Sequence, residues 1–101
     1  MAMKVLYHIG YDLTTETKMK KGILYTEKSP IEIVSDGERI VLNHLQKAEK
    51  SSIPGGGTVI KARTDSFTVF ILVPRVYIES GNGFVIVNRS KTMKLFNLLQ
   101  S

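Results

Sequence analysis

Apolar and polar residues alternate along most of the chain with a period of two, which is the pattern of half-buried β-strands. In the first of these segments, Val5 and Tyr7 share one face and Leu6 lies on the other. Turn-forming residues separate the segments. Asp36-Gly37 is a strong signal for a two-residue hairpin, and Asp65-Ser66 and Gly81-Asn82-Gly83 predict two further turns. The pattern predicts seven strands, in the segments KVLYHIGYDL, GILYT, IEIVSD, ERIVL, TVIKART, FTVFILV continued by RVYIE, and FVIVN.

Near the end of the chain the apolar spacing changes to that of a helix. Met93, Phe96 and Leu99 fall on one stripe, and this last segment contains no glycine or proline. Either Ser90 or Asn88 is placed to cap its first turn. We predict one amphipathic helix of about three turns that packs through this stripe.

The segment NHLQKAEKSSI, residues 43–53, fits two interpretations. In one, Asn43 caps a short helix that turns Leu45 and Ala48 inward. In the other, the preceding strand continues and ends in an irregular turn. The sequence therefore leaves residues 43–52 open between helix, strand and loop, and the PGGG that follows predicts a flexible connection.

The order of these elements predicts the fold class. An open array of seven antiparallel strands has two exposed edges and an uncovered end. Bending the array into a barrel or an orthogonal sandwich, with the helix over one end, buries them. With 101 residues and no repeat or linker, the chain fits one mainly β domain over residues 1–101.

This order of elements and the residue patterns of three segments resemble the pleckstrin-homology (PH) superfold, in particular its short GRAM-like and bacterial PH-like members. KGILYTEKSPIEIVSDG is similar to the second and third strands of that group, RIVLNHLQKAE to its fourth, and FVIVNRSKTMKLFNLLQ to its last strand and closing helix. Many PH domains carry a tryptophan in that helix; this chain has none, and Phe96 would do its packing. The resemblance implies a seven-stranded PH-like barrel closed by one C-terminal helix.

Composition excludes several classes of protein. Apolar residues make up 43% and charged residues 23% of the chain, as in ordinary globular domains. The absence of cysteine excludes disulfides, thiolate metal sites and thiol nucleophiles. No apolar run reaches the roughly 20 residues of a membrane-spanning helix, and the N-terminal segment lacks the features of a signal peptide. We therefore expect a cytoplasmic protein without a transmembrane segment, with peripheral membrane contact left open.

The formal net charge of +5 slightly favours anionic partners, and three lysines cluster in one predicted loop. In lipid-binding members of the PH group, basic residues near the first and second strands clamp inositol phosphates, and Lys18, Lys20 and Lys21 match the loop part of that pattern. The strands add no further basic partner, and Asp36, Glu38 and Glu79 are expected at the same open end of the fold, where carboxylates repel phosphate. These lysines are our candidate contact for an anion or lipid, and a solvated hairpin loop ranks above it.

A second basic group lies at the start of the predicted helix. Arg89, Ser90, Lys91 and Lys94 surround a helix terminus whose dipole already favours anions. We take them as a secondary candidate for anion contact. The alternative, which we favour, is a small electrostatic cost that salt screens.

No residue pattern identifies a catalytic, metal or cofactor site. PGGGT is not followed by the lysine and helix of a phosphate loop. His8 and His44 have no third ligand at a metal-site spacing, and no nucleophile-elbow motif occurs. We predict neither an enzyme nor a cofactor-dependent protein.

Three functions remain, and the first is a non-catalytic binding or scaffolding module whose partner is another protein or a copy of itself. The edge expected near Pro74 and the long apolar sixth strand favour association through a strand edge or sheet face. The second is recruitment to an anionic phospholipid surface through the lysine loop. The third is a small nucleic-acid-binding barrel that uses Tyr7, Tyr11 and Tyr25. It ranks last because the strand spacing of these tyrosines indicates core positions.

Overall fold

The computed structural model describes residues 2–14, 17, 19–28, 30–53, 57–78 and 84–100. Within these ranges the chain forms nine strands and one helix. In chain order the elements are β1 (Ala2–Ile9), β2 (Lys20–Tyr25), β3 (Glu32–Ser35), β4 (Glu38–Val41), β5 (Lys47–Ser52), β6 (Thr58–Arg63), β7 (Thr68–Leu72), β8 (Pro74–Ile78), β9 (Phe84–Val87) and α1 (Arg89–Gln100).

Seven of the strands form one antiparallel sheet in the order β4-β3-β2-β1-β7-β6-β5, and β8 pairs with β9 in a second sheet. Helix α1 packs on β5 and β6. The radius of gyration is 12.5 Å, close to the value of about 13 Å for a compact chain of this length. The predicted class, mainly β with a seven-stranded antiparallel sheet and one C-terminal helix, is confirmed. Closure of the sheet into a barrel stays a prediction, since the described strand pairs begin at β4 and end at β5.

The segment that the sequence left open is a turn followed by a strand. Asn43 and His44 form the turn, in which His44 has a φ of 53°. The strand that follows, β5, pairs with β6 along its whole length. Asn43 therefore caps no helix, and β5 is an end strand of the main sheet.

The segment predicted as the seventh strand of the array lies outside the main sheet. FVIVN forms β9, and its partner is β8, which begins at Pro74. Proline has no N–H to give to a ladder, and the pairing shifts register between Pro74 and Val76. The chain therefore leaves the main sheet after Val73, and β5 supplies the seventh strand.

The long apolar segment FTVFILV does not offer an edge for association. Most of it is β7, which lies between β1 and β6 and is buried from Val69 to Leu72. Both edges of β7 are already paired, so this strand cannot take up another one; association at the edge near Pro74, which lies in β8, stays a prediction. The ends of the sheet are β4 and β5.

Two predicted hairpin turns are confirmed. Asp36 and Gly37 have φ values of 42° and 80°, as a two-residue turn between antiparallel strands requires. The Asp65-Ser66 turn is closed by the Thr64 N–H, which donates to the Phe67 carbonyl at 2.9 Å. The connections predicted at residues 54–56 and 81–83 lie outside the described residues.

The main sheet buries apolar residues on both faces. The inner face, which we define as the one that α1 covers, carries the larger core; it includes Val5, Tyr7, Leu24, Ile33, Ile60, Ala62, Val69, Ile71, Leu95, Phe96 and Leu99. The outer face carries a smaller cluster of Leu6, Val59, Phe70 and Leu72 under Leu13, Met19, Ile53 and Val87. Because both of its faces are covered, β7 is apolar without interruption from Val69 to Leu72.

The start of α1 is tied to the end of β7. Asn88 is the cap, since its Oδ1 accepts a hydrogen bond from the Lys91 N–H at 3.1 Å. The Asn88 N–H donates to the Val73 carbonyl at 2.8 Å. The buried Oγ1 of Thr92 accepts from the Val73 N–H at 3.1 Å. Of the predicted stripe, Phe96 and Leu99 are buried and Met93 is half-buried; Thr92 and Leu95 complete the buried side.

Candidate functional site

The two described lysines of the candidate loop do not point the same way. Lys20 and Lys21 begin β2 opposite Tyr7 and Leu6, and both are exposed. Successive residues of a strand point to opposite faces, so Lys21 belongs to the outer face and Lys20 to the inner one. Lys18 lies outside the described residues. The described part of this cluster therefore does not converge on one phosphate group.

Acidic side chains share this end of the sheet. The start of β2 lies beside the end of β1, and the turn at Asp36 lies at the same end because it joins β3 to β4. Asp12, Asp36 and Glu38 are all exposed; Glu79 lies outside the described residues. Carboxylates at the same end of the sheet repel phosphate, which weakens the lysine loop as an anion site.

The secondary basic group surrounds the capped start of α1. Arg89, Ser90, Lys91 and Lys94 are exposed, and the first turn has no acidic residue. Lys91 and Lys94 are neighbours on the helix surface, whereas Arg89 is rotated from Lys91 by about 200° around the axis. The Lys91 N–H already donates to Asn88. The helix start thus presents a pair of lysines and no converging set of four groups.

Titratable groups do not gather into a metal site in the described part of the chain. No group of three or more His, Cys, Asp or Glu side chains comes together there. His8 lies on the outer face, where its ring stacks on Phe70 with the centroids 6.4 Å apart. His44 occupies the turn before β5.

One carboxylate is buried and paired with two cations. Glu32 is 5% exposed, accepts a hydrogen bond from the Lys28 ammonium and lies 3.3 Å from Nε of Arg39. The hydrogen bond from Lys28 is the largest influence and lowers the pKa of Glu32 below its ordinary 4.5; burial opposes this effect and the Arg39 charge adds to it. These contacts link the β2–β3 connection to β4, so they are explained by the fold.

The three tyrosines considered for base stacking lie in different environments. Tyr7 is buried, and its hydroxyl has no hydrogen-bond partner in the described structure. Tyr25 is half-buried, with the Lys28 ammonium 5.1 Å from its ring centroid. Tyr11 is exposed, contrary to the core position that its spacing indicated. These three rings therefore form no common stacking face.

An apolar feature projects at the end of β1. Ile9, the last residue of β1, is 42% exposed, and Tyr11, two residues after it, is 88% exposed, although β1 buries Val5, Leu6 and Tyr7. We call Ile9 and Tyr11 the β1 tip. Tyrosine is enriched among the residues that dominate binding energy at protein interfaces, and an adjacent aliphatic side chain adds apolar area.

A charge cluster that the sequence analysis did not single out lies on the outer face, at the β5 end of the sheet. Lys47 lies opposite Arg63, and Glu49 lies opposite Lys61. The Glu49 carboxylate is 3.6 Å from Nζ of Lys47 and 4.0 Å from Nζ of Lys61. We call these four residues the β5–β6 charge cluster. It depends on the register of two strands, one of which the sequence left open, so no local motif marks it.

No family model, curated protein or solved structure matches this chain. Among the described elements, no helix has the length and apolar character needed to cross a bilayer. What the chain does must therefore be inferred from its own residues.

Proposed function

We propose that this chain is a non-catalytic, PH-like binding module of the cytoplasm that associates with proteins, including further copies of itself, through the β1 tip. The observation that carries the proposal is the 88% exposure of Tyr11 beside the partly exposed Ile9. Apolar surface held in water is unfavourable, and a partner that covers both side chains removes that cost.

The PH-like part of the proposal is supported by the elements of the fold. A seven-stranded antiparallel sheet and a C-terminal helix packed on it are what the resemblance implies. Phe96 lies in the inner core, in the helix where many PH domains carry tryptophan. The β8–β9 hairpin, inserted between the sheet and the helix, departs from the expected order.

The edges of the sheet are poor sites for strand addition, which favours the β1 tip as the contact. β4 has four residues, and two of them, Glu38 and Arg39, are charged. β5 carries three charged side chains, and the Gln100 amide donates to its Ala48 carbonyl at 3.4 Å. The short length of β4 and the charged side chains of both edge strands discourage pairing with another chain.

Size-exclusion chromatography with light scattering, at a series of concentrations, tests the self-association form of the proposal. We expect the mean mass of the wild-type protein to rise with concentration and that of the Tyr11→Ser variant to stay at the monomer value. Ile86→Ser is the matched control, because Ile86 is 41% exposed and lies outside the tip; it should behave like the wild type. A strictly monomeric wild-type profile removes self-association.

A photo-crosslinking amino acid tests association with a different protein. We place p-benzoylphenylalanine at position 11 in one variant and at position 86 in another, and irradiate cells that express each of them. The proposal expects discrete adducts of higher mass from position 11 and none of the same mass from position 86. Identical adduct patterns from both positions contradict a specific contact at Tyr11.

Recruitment to an anionic phospholipid surface is the alternative function. The net charge of +5 and the exposure of Lys20 and Lys21 favour it. Co-sedimentation with vesicles that contain phosphatidylserine, compared with neutral vesicles, separates it from the main proposal. Replacement of Lys18, Lys20 and Lys21 by alanine should then abolish pelleting; equal pelleting of variant and wild type rules out this loop.

A further inference from the structure

We infer that the β5–β6 charge cluster is a docking surface for an acidic segment of a partner protein, distinct from the β1 tip. The first observation is the direct opposition of Lys47 and Arg63 on neighbouring strands. Directly opposite residues share a face of the sheet, and like charges in that position destabilise it. Such a pair breaks a local rule of stability, and departures of this kind are expected at functional surfaces.

The chain compensates these cations incompletely. Glu49 lies between Lys47 and Lys61 and is the acidic member of the cluster. Arg63 is exposed and makes no ion pair within the described residues. Asp65 follows two residues later, where its Oδ1 accepts a hydrogen bond from the Ser66 hydroxyl at 3.1 Å. The four charges of the cluster are three positive and one negative, so the cluster keeps a net positive charge for a partner.

The spacing of the cations fits an extended acidic peptide. Lys61 and Arg63 are two residues apart on one strand, so their Cα atoms are separated by about 6.7 Å, which is also the spacing of alternate side chains in an extended peptide. Lys47 lies about 5 Å across from Arg63 on the neighbouring strand. Arginine binds a carboxylate with two parallel hydrogen bonds, and the lysines add point charges on either side.

The surroundings favour a carboxylate-bearing peptide over two other polyanions. Single-stranded nucleic acid needs exposed rings on which bases stack. Two rings lie beside the cluster on the outer face: Phe70 is buried, with the Lys61 ammonium 6.0 Å from its centroid, and His8 is half-buried and stacked on Phe70. An anionic membrane recruits clusters of roughly four to eight basic residues, and three cations offset by Glu49 fall short of that number.

Fluorescence anisotropy with a fluorescein-labelled deca-glutamate peptide, at low salt, tests this surface. We expect the wild-type chain to bind and the Lys47→Ala/Arg63→Ala variant to bind about tenfold more weakly, because it loses two exposed ion pairs. Glu49→Gln should bind more tightly than the wild type, because it removes the competing carboxylate. The matched control, Lys4→Ala/Arg75→Ala, loses the same charge from two exposed positions outside the cluster and should bind as the wild type does.

Lys47→Ala/Arg63→Ala should weaken peptide binding and Glu49→Gln should tighten it. A folding defect does not tighten binding, so it cannot account for both results. The inference is overturned if the wild type does not bind the peptide, if Lys47→Ala/Arg63→Ala binds equally well, or if the control pair loses as much affinity. Oligo-dT and phosphatidylserine vesicles are run beside the peptide. Tighter binding of either one, with the same dependence on Lys47 and Arg63, overturns the assignment to an acidic protein segment.

Discussion

Replacing Gly22 by alanine is expected to destabilise the protein, although the change adds a single methyl group. A Cβ atom at Gly22 would lie 2.7 Å from Cγ2 of Ile33 and 3.0 Å from Cε1 of Tyr7. Both neighbours are buried in the inner core, so neither can move into solvent. Overpacking of a core costs about 1–3 kcal/mol, and loss of glycine entropy in the unfolded chain returns about 0.4–1 kcal/mol. We expect the free energy of unfolding to fall by about 1–2 kcal/mol.

Urea unfolding followed by circular dichroism, in a double-mutant cycle with Ile33→Leu, measures this effect. Leucine keeps the volume of isoleucine but has no Cγ2, so Gly22→Ala should cost about 1 kcal/mol less in that background. Gly37→Ala is the matched control, since Gly37 has a φ of 80° and no atom within 4 Å of its Cβ position. The loss in free energy of unfolding from Gly37→Ala comes from the positive φ at this position, so it should be the same with isoleucine or leucine at position 33. A Gly22→Ala cost that is absent, or that ignores residue 33, refutes the steric explanation.

Three further substitutions test buried polar groups. Tyr7→Phe should leave the free energy of unfolding unchanged or raise it by about 1 kcal/mol, because the hydroxyl has no partner in the described structure; a lower urea midpoint contradicts this. Glu32→Gln should lower the melting temperature above pH 4.5, and the difference in melting temperature from the wild type should disappear in acid. The pKa of Glu32 is lowered on folding, so the ionised carboxylate stabilises the folded state above pH 4.5, and this stabilisation is lost as the pH falls through the pKa of the folded state. A difference that widens in acid contradicts that sign. Thr92→Val should cost about 1–3 kcal/mol because the Val73 N–H loses its acceptor, and Thr92→Ser should cost less; equal losses would assign the effect to packing.

The strands that alternate are predictable from the sequence, whereas β5 is not. Alternation arises where one face of a strand is buried and the other is more exposed, as in the second half of β6, where Ile60 and Ala62 are buried while Lys61 is half-buried and Arg63 exposed. In β5, KAEKSS, Ala48 and Ser51 are half-buried and the other side chains are exposed. Its position is determined by the pairing with β6, a non-local interaction that leaves no periodic signal in the segment itself.

The second core is hidden from a local analysis for a related reason. Leu6 alternates with Val5 and Tyr7, so a period of two assigns it to the solvent side. It is buried because Leu13 and Met19 from the following connection, with Ile53 and Val87 from distant parts of the chain, cover the outer face. A pattern within one strand carries no information about what covers it.

The candidate sites show that closeness in sequence does not determine which charged side chains come together on a sheet. Lys20 and Lys21 are neighbours in sequence and read as a cluster, yet the pleat of β2 sends them to opposite faces. Lys47 and Arg63 are far apart in sequence, yet strand register places them opposite each other. A charge cluster on a sheet is a property of register, and register follows only once both strands are known.

The hydrogen bond between the Asn88 N–H and the Val73 carbonyl joins the two ends of the segment that contains β8 and β9. β8 and β9 lie outside the main sheet, and this hydrogen bond joins the end of β7 directly to the start of α1. The entropy of closing such a loop rises slowly, by about 0.6 kcal/mol for each doubling of its length. Changes in the length of the connection between β8 and β9 should therefore leave the junction between the sheet and α1 in place, provided that Val87 keeps its packing in the outer cluster.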